Sequence, residues 1–239
     1  MPRSTGGIKA WYVCGPMRMH PPSAASGLVM LAFCVAACDA RSPLRIRPGP
    51  VVPSQDRGLT AEALGKVAVV PFYPLAASST PGSSGAGTSW ADAALVSSFL
   101  SDALAAQGVP VVAPNDVELA FTAQGTPVPR LDPETTAVRC ARDFGATAVV
   151  LGRLLRYRER EGSAAGSTRP ASVAFEVTVY EAPTARRLWT GRFDETQQAI
   201  TEAILRARQY PGGGTRWLTA PEFARWGADE VAKSITTPH

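Results

Sequence analysis

Histidine is almost missing from this chain of 239 residues. The only two are His20, inside an N-terminal leader, and His239, the last residue. A domain with no internal histidine has no Ser-His-Asp triad, no Cys-His dyad and no His-ligated metal site. Lysine is nearly as scarce: beyond Lys9 in the leader there are only Lys66 and Lys233, which leaves little for Ser-Lys chemistry. Charged residues make up 18% of the chain, below the usual quarter. No apolar run approaches the ~20 residues that a membrane-spanning helix needs.

The four cysteines are Cys14, Cys34, Cys38 and Cys140. Residues 1–37 carry Arg3, Lys9 and Arg18 and no acidic residue, and they close with an 11-residue apolar run from Gly27 to Ala37. That run suits the core of a signal peptide. It ends in Val35-Ala36-Ala37-Cys38, which resembles the bacterial lipoprotein signal: small residues at the cleavage site, then a cysteine that takes a diacylglycerol on sulfur and becomes the new N-terminus. Cys34 is a poorer acceptor because the bulky Phe33 precedes it. The expectation is cleavage after Val35-Ala36-Ala37, lipidation of Cys38, and membrane attachment through the acyl chains, each buried CH₂ contributing about 0.8 kcal/mol.

Loss of the leader removes three basic residues and leaves 21 against 20 acidic ones, so the pI of 9.1 is largely a property of the leader. A nearly neutral mature chain does not point to nucleic acid. Cys140 would be the one remaining free thiol, so no intrachain disulfide is available. Its place on an apolar helix face argues for a buried structural thiol and against a nucleophile.

The chain divides into a signal peptide over 1–37, a lipid anchor with a flexible tether over 38–63, and a periplasmic domain over 64–239. Pro43, Pro48, Pro50 and Pro53 break any helix in the tether. Val67–Phe72 is a short apolar run of the buried-strand type. A helix is expected from Ser89, its N-cap, to Gln107, with an apolar stripe of Trp90, Ala94, Leu95, Phe99, Leu100 and Leu104. A strand over Val109–Val112 follows, then a short helix capped by Asn115 or Asp116 and a third from Pro133 to Phe144. Strands are expected at 147–157, 171–181 and 187–194. In the second of these Val173, Phe175, Val177 and Val179 alternate with polar or small residues, so one face is buried and one is wet. Helices over 197–208 and 221–235 close the chain. The fold class is α/β, a single mixed sheet covered by helices in the order β-α-β-α-α-β-β-β-α-α.

Three stretches carry a family resemblance over residues 65–195. Lys66-Val67-Ala68-Val69-Val70-Pro71-Phe72 looks like the first strand of a bacterial envelope superfamily. Gly145-Ala146-Thr147-Ala148-Val149-Val150-Leu151-Gly152 looks like its central strand, and Arg187-Leu188-Trp189-Thr190-Gly191 like the strand after its last hairpin. The superfamily includes the curli-secretion lipoprotein, the penicillin-binding-protein activator lipoproteins and the N-terminal domain of the Tol-system propeller protein. The resemblance implies an α/β fold and an envelope location, with the domain facing the periplasm from the outer membrane.

No catalytic constellation, metal site or cofactor motif emerges. Two groups remain as contact candidates. Arg156 and Arg158 lie on one face of a strand end, with Tyr157 on the other, as a site for an acidic partner or an anion. Gly212, Gly213 and Gly214, followed by Arg216 and Trp217, can form a backbone anion nest with a charge beside it, or a loop that docks Tyr210 and Trp217 on the core. The loop lacks the Lys-Ser/Thr ending of a phosphate-binding P-loop. The expected function is a non-catalytic, lipid-anchored envelope protein that binds another envelope protein through the sheet's open edge or this loop. A periplasmic binder of small ligands or glycans is the alternative. A homo-oligomeric secretion component is the third reading.

Overall fold

The computed structural model describes residues 51–53, 59–75, 88–125, 132–199, 201 and 204–237. Val35, Ala36, Ala37 and Cys38 lie outside them. So does the Gly/Ser-rich stretch over 78–87.

A seven-stranded mixed sheet organises the domain. Its strands are β1 (Val51–Pro53), β2 (Val67–Val69), β3 (Tyr73–Pro74), β4 (Val111–Val112), β5 (Ala148–Arg158), β8 (Ser172–Glu181) and β9 (Arg187–Thr196). The spatial order is β1-β9-β8-β5-β2-β4, and β3 continues the line of β2 along β5. β2 pairs in parallel with β4 and β5, whereas β5, β8 and β9 form an antiparallel meander onto which β1 adds. A small hairpin of β6 (Glu161–Gly162) and β7 (Ser167–Arg169) projects between β5 and β8. Six helices are described: α1 (Ala61–Leu64), α2 (Trp90–Ala106), α3 (Pro114–Ala123), α4 (Pro133–Phe144), α5 (Ile204–Ala207) and α6 (Ala220–Thr236). The larger elements follow the expected order.

Local chemistry sets most helix ends. Ser89 caps α2 through a reciprocal pair with Asp92, and Thr219 caps α6 the same way with Glu222. Asp132 caps α4, which runs over the expected Pro133–Phe144 and ends at Gly145. α3 departs from expectation. Its N-cap is Ala113, with no side-chain bond, and neither Asn115 nor Asp116 serves. Pro114 starts the helix earlier, because its fixed φ and missing N–H suit the first helical position.

The buried stripe of α2 keeps the expected Phe99, Leu100 and Leu104, with Leu95 packed against the core, but is rotated over its first turns. Ala93, Val96, Leu100 and Leu104 face the core, while Trp90 is 61% exposed and Ala94 lies outside. The small Ser97 and Ser101 are buried on that face, so α2 packs closely on α6. Among the described residues of the segment expected to form a helix over 197–208, Ile204–Ala207 is helical and 197–199 is not. Gln197 there is extended and buried, its side chain bonded to the loop ahead of α6.

Two parts of the expected tether are built into the domain. Val51–Pro53 pairs with Gly191–Phe193, and Thr60 caps a helical turn whose Leu64 is fully buried. The Leu59 N–H reaches the Ile235 carbonyl at 2.7 Å. The prolines that break helices here are compatible with an edge strand, where Pro53 needs no donor.

Helices α2 and α6 cover one sheet face, and the main core lies between. An aromatic column runs through it. Phe72 meets Phe175 at 6.4 Å between ring centroids, Phe175 stacks on Phe193 at 5.2 Å, and Phe193 meets the edges of Phe223 and Trp226 at 6.0 and 5.5 Å. Tyr210 closes the column against both α6 aromatics. Gly152 is obligatory beside it, because a Cβ there would lie 2.2 Å from the Phe72 ring. Helices α3 and α4 cover only part of the other face, over Ala68, Val70, Val149 and Leu151.

Phe193→Ala is expected to cost about 3–5 kcal/mol, because three aromatic partners would line the cavity. Leu119→Ala, on the exposed side of α3, should change stability by no more than about 0.5 kcal/mol. Urea unfolding of both variants checks the contrast.

Candidate functional site

Side chains on β8 alternate strictly. Val173, Phe175, Val177 and Val179 enter the main core, so Ser172, Ala174, Glu176, Thr178 and Tyr180 rise on the opposite face. The register lines them up with β5 and β9. Arg153, Glu176 and Arg192 form one row across three strands, and Arg156, Ala174 and Asp194 the next. Arg158, Ser172 and Thr196 form the last row. α4 packs over the other end of β5. Beyond it the face is polar and half-open.

The ladder is cross-linked. The Arg153 guanidinium donates to Glu176 at 2.6 Å, and Arg192 reaches the other Glu176 oxygen at 3.3 Å. Arg156 and Arg192 both pair with Asp194. Arg156 Nε also donates to Ser172 Oγ at 2.6 Å, and that hydroxyl bonds Thr196 at 2.6 Å. Burial would raise the Asp194 carboxyl, but hydrogen bonds from the two arginines outweigh it and hold it below the usual range. The hydrogen bond that Arg153 donates to Glu176 raises the guanidinium above its ordinary value. These groups keep roughly a third to a half of their surface in water, so each pair contributes about 0–1 kcal/mol.

Arg158 breaks the pattern. Its Nε is buried with no acceptor among the described residues, an arrangement that costs about 1–3 kcal/mol. The face carries four arginines, at 153, 156, 158 and 192, against Glu176 and Asp194. It therefore holds an excess of two positive charges.

A β-bulge between Leu154 and Arg156 puts Arg153 and Arg156 on one face although they are three residues apart. Arg156 and Arg158 share that face as expected, with Tyr157 packed against the main core on the other. Burial pushes the Tyr157 phenol up. Nothing in the local sequence marks the bulge, so the row of Arg153, Glu176 and Arg192 and its neighbour Asp194 emerge only from the fold.

Where the face meets α4, an open groove of about 290 Å³ lies between Tyr73 and Pro133, floored by Leu151, Arg153, Glu176 and Thr178 and flanked by Tyr180. The sheet's edges are less accommodating. β1 and β4 have three and two residues, too few for a long template.

The glycine loop takes a different form from an anion nest. Pro211–Gly214 is one 3-10 turn in which Gly212, Gly213 and Gly214 all have φ near +70°. A Cβ on Gly214 would meet the Ala207 carbonyl at 2.6 Å. The Gly213 N–H is bonded to the Tyr210 carbonyl at 2.9 Å. Arg216 forms a two-pronged pair with Glu222 at 2.8 and 2.9 Å, so its charge is taken up within the chain. Tyr210 and Leu218 are buried, which docks the loop on the core. Trp217 is half-buried and joins the β6–β7 hairpin: its N–H donates to the Ala164 carbonyl at 2.9 Å, and its carbonyl accepts from Arg160. Gln197 secures the loop from below, bonding the Arg216 carbonyl and the Leu218 N–H at 2.8 and 2.7 Å. Loop and arginine ladder therefore belong to different surfaces, joined through Arg160.

Cys140 is fully buried against α3 and β5, and desolvation pushes its thiol up to about 12. No three His, Cys, Asp or Glu side chains gather as a metal site among the described residues. No described helix is long and apolar enough to cross a membrane.

No family model and no curated protein matches the chain. Solved structures give looser likenesses. A PelC dodecamer from Paraburkholderia phytofirmans has 15% identity and a TM-score of 0.44, covering 79% of this chain and 98% of that one. The C-terminal domain of LpoB from Salmonella enterica has 20% identity and a TM-score of 0.39, covering 59% of this chain and 87% of that one. Lipoprotein GNA1162 from Neisseria meningitidis has 17% identity and a TM-score of 0.37, covering 55% of this chain and 83% of that one. Overlap of this extent at these identities fixes no activity or partner for this chain.

Glu222 offers a test of the loop anchor. Hydrogen bonds from Arg216 and the Thr219 N–H hold its carboxyl at about 2 in the folded protein, against about 4.3 for a free glutamate. A depressed folded value contributes stability that is present above the unfolded value and lost as pH falls toward 2. Glu222→Gln should therefore lose less stability than the wild type between pH 6 and pH 2.5, measured by urea midpoints at both pH values.

Proposed function

We propose that this chain is a lipid-anchored, non-catalytic protein of the bacterial cell envelope that binds another protein through the open face of its sheet. The observation that carries the reading is a leader ending in Val35-Ala36-Ala37-Cys38 ahead of a domain whose β5–β8–β9 face is polar, half-open and cationic. An uncovered sheet face of this size in a small domain is a natural contact surface, because its side chains stand on rigid strands. Cys38 carries the lipid in this reading, and the domain faces the periplasm from the outer membrane. The groove between Tyr73 and Pro133 supports a second reading, a small-ligand or glycan binder. It places two phenols, a threonine hydroxyl and an Arg–Glu pair around one open volume.

Palmitate labelling with membrane fractionation tests the anchor. Label and membrane association should be lost together in Cys38→Ala; an unlabelled, soluble wild type would overturn the reading. Thermal shift with anions and cell-wall fragments separates the two binding modes, since a ligand in the groove at 100 times its Kd stabilises by about 2.7 kcal/mol. Protein binding alone predicts no shift with these additives.

A further inference from the structure

The direction of β1 gives the cationic face a second role. Val51 pairs with Phe193 and Pro53 with Gly191 in antiparallel register, so the chain enters the sheet from the Asp194–Thr196 end of β9. Across that end lie Ser172 and Arg158, with Arg156 one row further in. The segment from Cys38 to Val51 is 13 residues long, which limits its reach to about 45 Å even when fully extended. A lipid on Cys38 would hold this end of the sheet close to the headgroups. Arg158 Nε has no acceptor among the described residues, and Arg156, paired with Asp194, sits beside it. The hairpin that projects at the same end has a tip of small, uncharged residues, Gly162 to Gly166, and its one carboxylate, Glu161, is paired with Arg169 at 2.7 Å.

We infer that the Arg156–Arg158 end of the β5–β8–β9 face docks on the phosphate-bearing headgroups of the membrane that anchors the chain, so that the domain stands end-on and leaves the groove end free for its partner. The inference rests on lipidation at Cys38. Guanidinium groups suit phosphate because they donate in a planar fork, and each basic residue near an anionic surface adds to the attraction until salt screens it. An acidic protein could use the same charges. The membrane is favoured because the chain enters the domain at this end.

The lipidated protein in vesicles tests it, with a dye on Ala165→Cys at the hairpin tip and, separately, on Thr184→Cys in the β8–β9 turn at the opposite end. Cys140, buried and with a raised thiol, does not compete for the dye. Vesicles are either phosphatidylcholine alone or a 3:1 mixture with phosphatidylglycerol, each carrying a nitroxide-headgroup lipid. The expected result is quenching at Ala165→Cys at least about twofold stronger in the anionic vesicles, reversed by high salt and by Arg158→Glu, with little quenching at Thr184→Cys. Equal quenching at both positions, or quenching that ignores lipid charge, overturns the inference. Flotation with neutral vesicles reads the anchor separately: a protein that does not float lacks the lipid, and its failure is then that of the lipoprotein reading.

Discussion

The column of rings from Phe72 through Phe175 and Phe193 to Phe223, Trp226 and Tyr210 is the interaction on which the rest of the domain depends. It ties the segment after β2, the two central antiparallel strands, α6 and the glycine loop into one packed body. Each fully buried ring contributes about 1.5–3 kcal/mol by burial alone, and the edge and stacked contacts add to that. Because Phe175 and Phe193 take inward positions on β8 and β9, the same register that builds the core turns Glu176, Thr178, Arg192 and Asp194 outward. The open face is thus a consequence of the core, and its geometry is as rigid as the strands beneath it.

That face is arranged for display more than for stability. Its ion pairs are half-exposed and individually weak, yet they hold three guanidinium groups, of Arg153, Arg156 and Arg192, in fixed rows. At this end of the molecule the buried Gln197 and the Arg216–Glu222 pair fasten the loop before α6. The loop therefore supports the structure, while the arginine ladder remains available for contact.

Much of the architecture was legible in the residues. The alternation in 173–179 gave the two-faced strand, Ser89 the start of α2, and Pro133 and Gly145 both ends of α4. What escaped were features whose causes are not local. Val51–Pro53 becomes a strand only because β9 offers an edge to a proline-containing segment. Trp90 is a strong apolar signal, yet it stays outside at the first residue of α2, where Ala93 and Val96 set the face that meets the core. The bulge that places Arg153 beside Arg156 has no marker in the chain. The glycine loop left two readings open, an anion nest or a docked loop, and the second describes the fold: the Gly213 N–H is bonded to the Tyr210 carbonyl, Arg216 is paired with Glu222, and the buried Tyr210 docks the loop on the core.

The order of events along the chain also constrains how the domain can be used. A tether that ran freely to residue 63 would let the domain tumble at the membrane and expose every surface equally. Pairing of Val51–Pro53 with β9 and burial of Leu64 bring these residues into the domain and fix where the chain enters the sheet. Removing about a dozen residues of slack lowers the entropy lost on docking any surface near that entry point, since fewer orientations have to be given up. Surfaces at the groove end gain no such advantage. They lie at the far end of the sheet from that entry point, and under the proposed lipid anchor the effective concentration of a partner, and not of the lipid, would decide their occupancy.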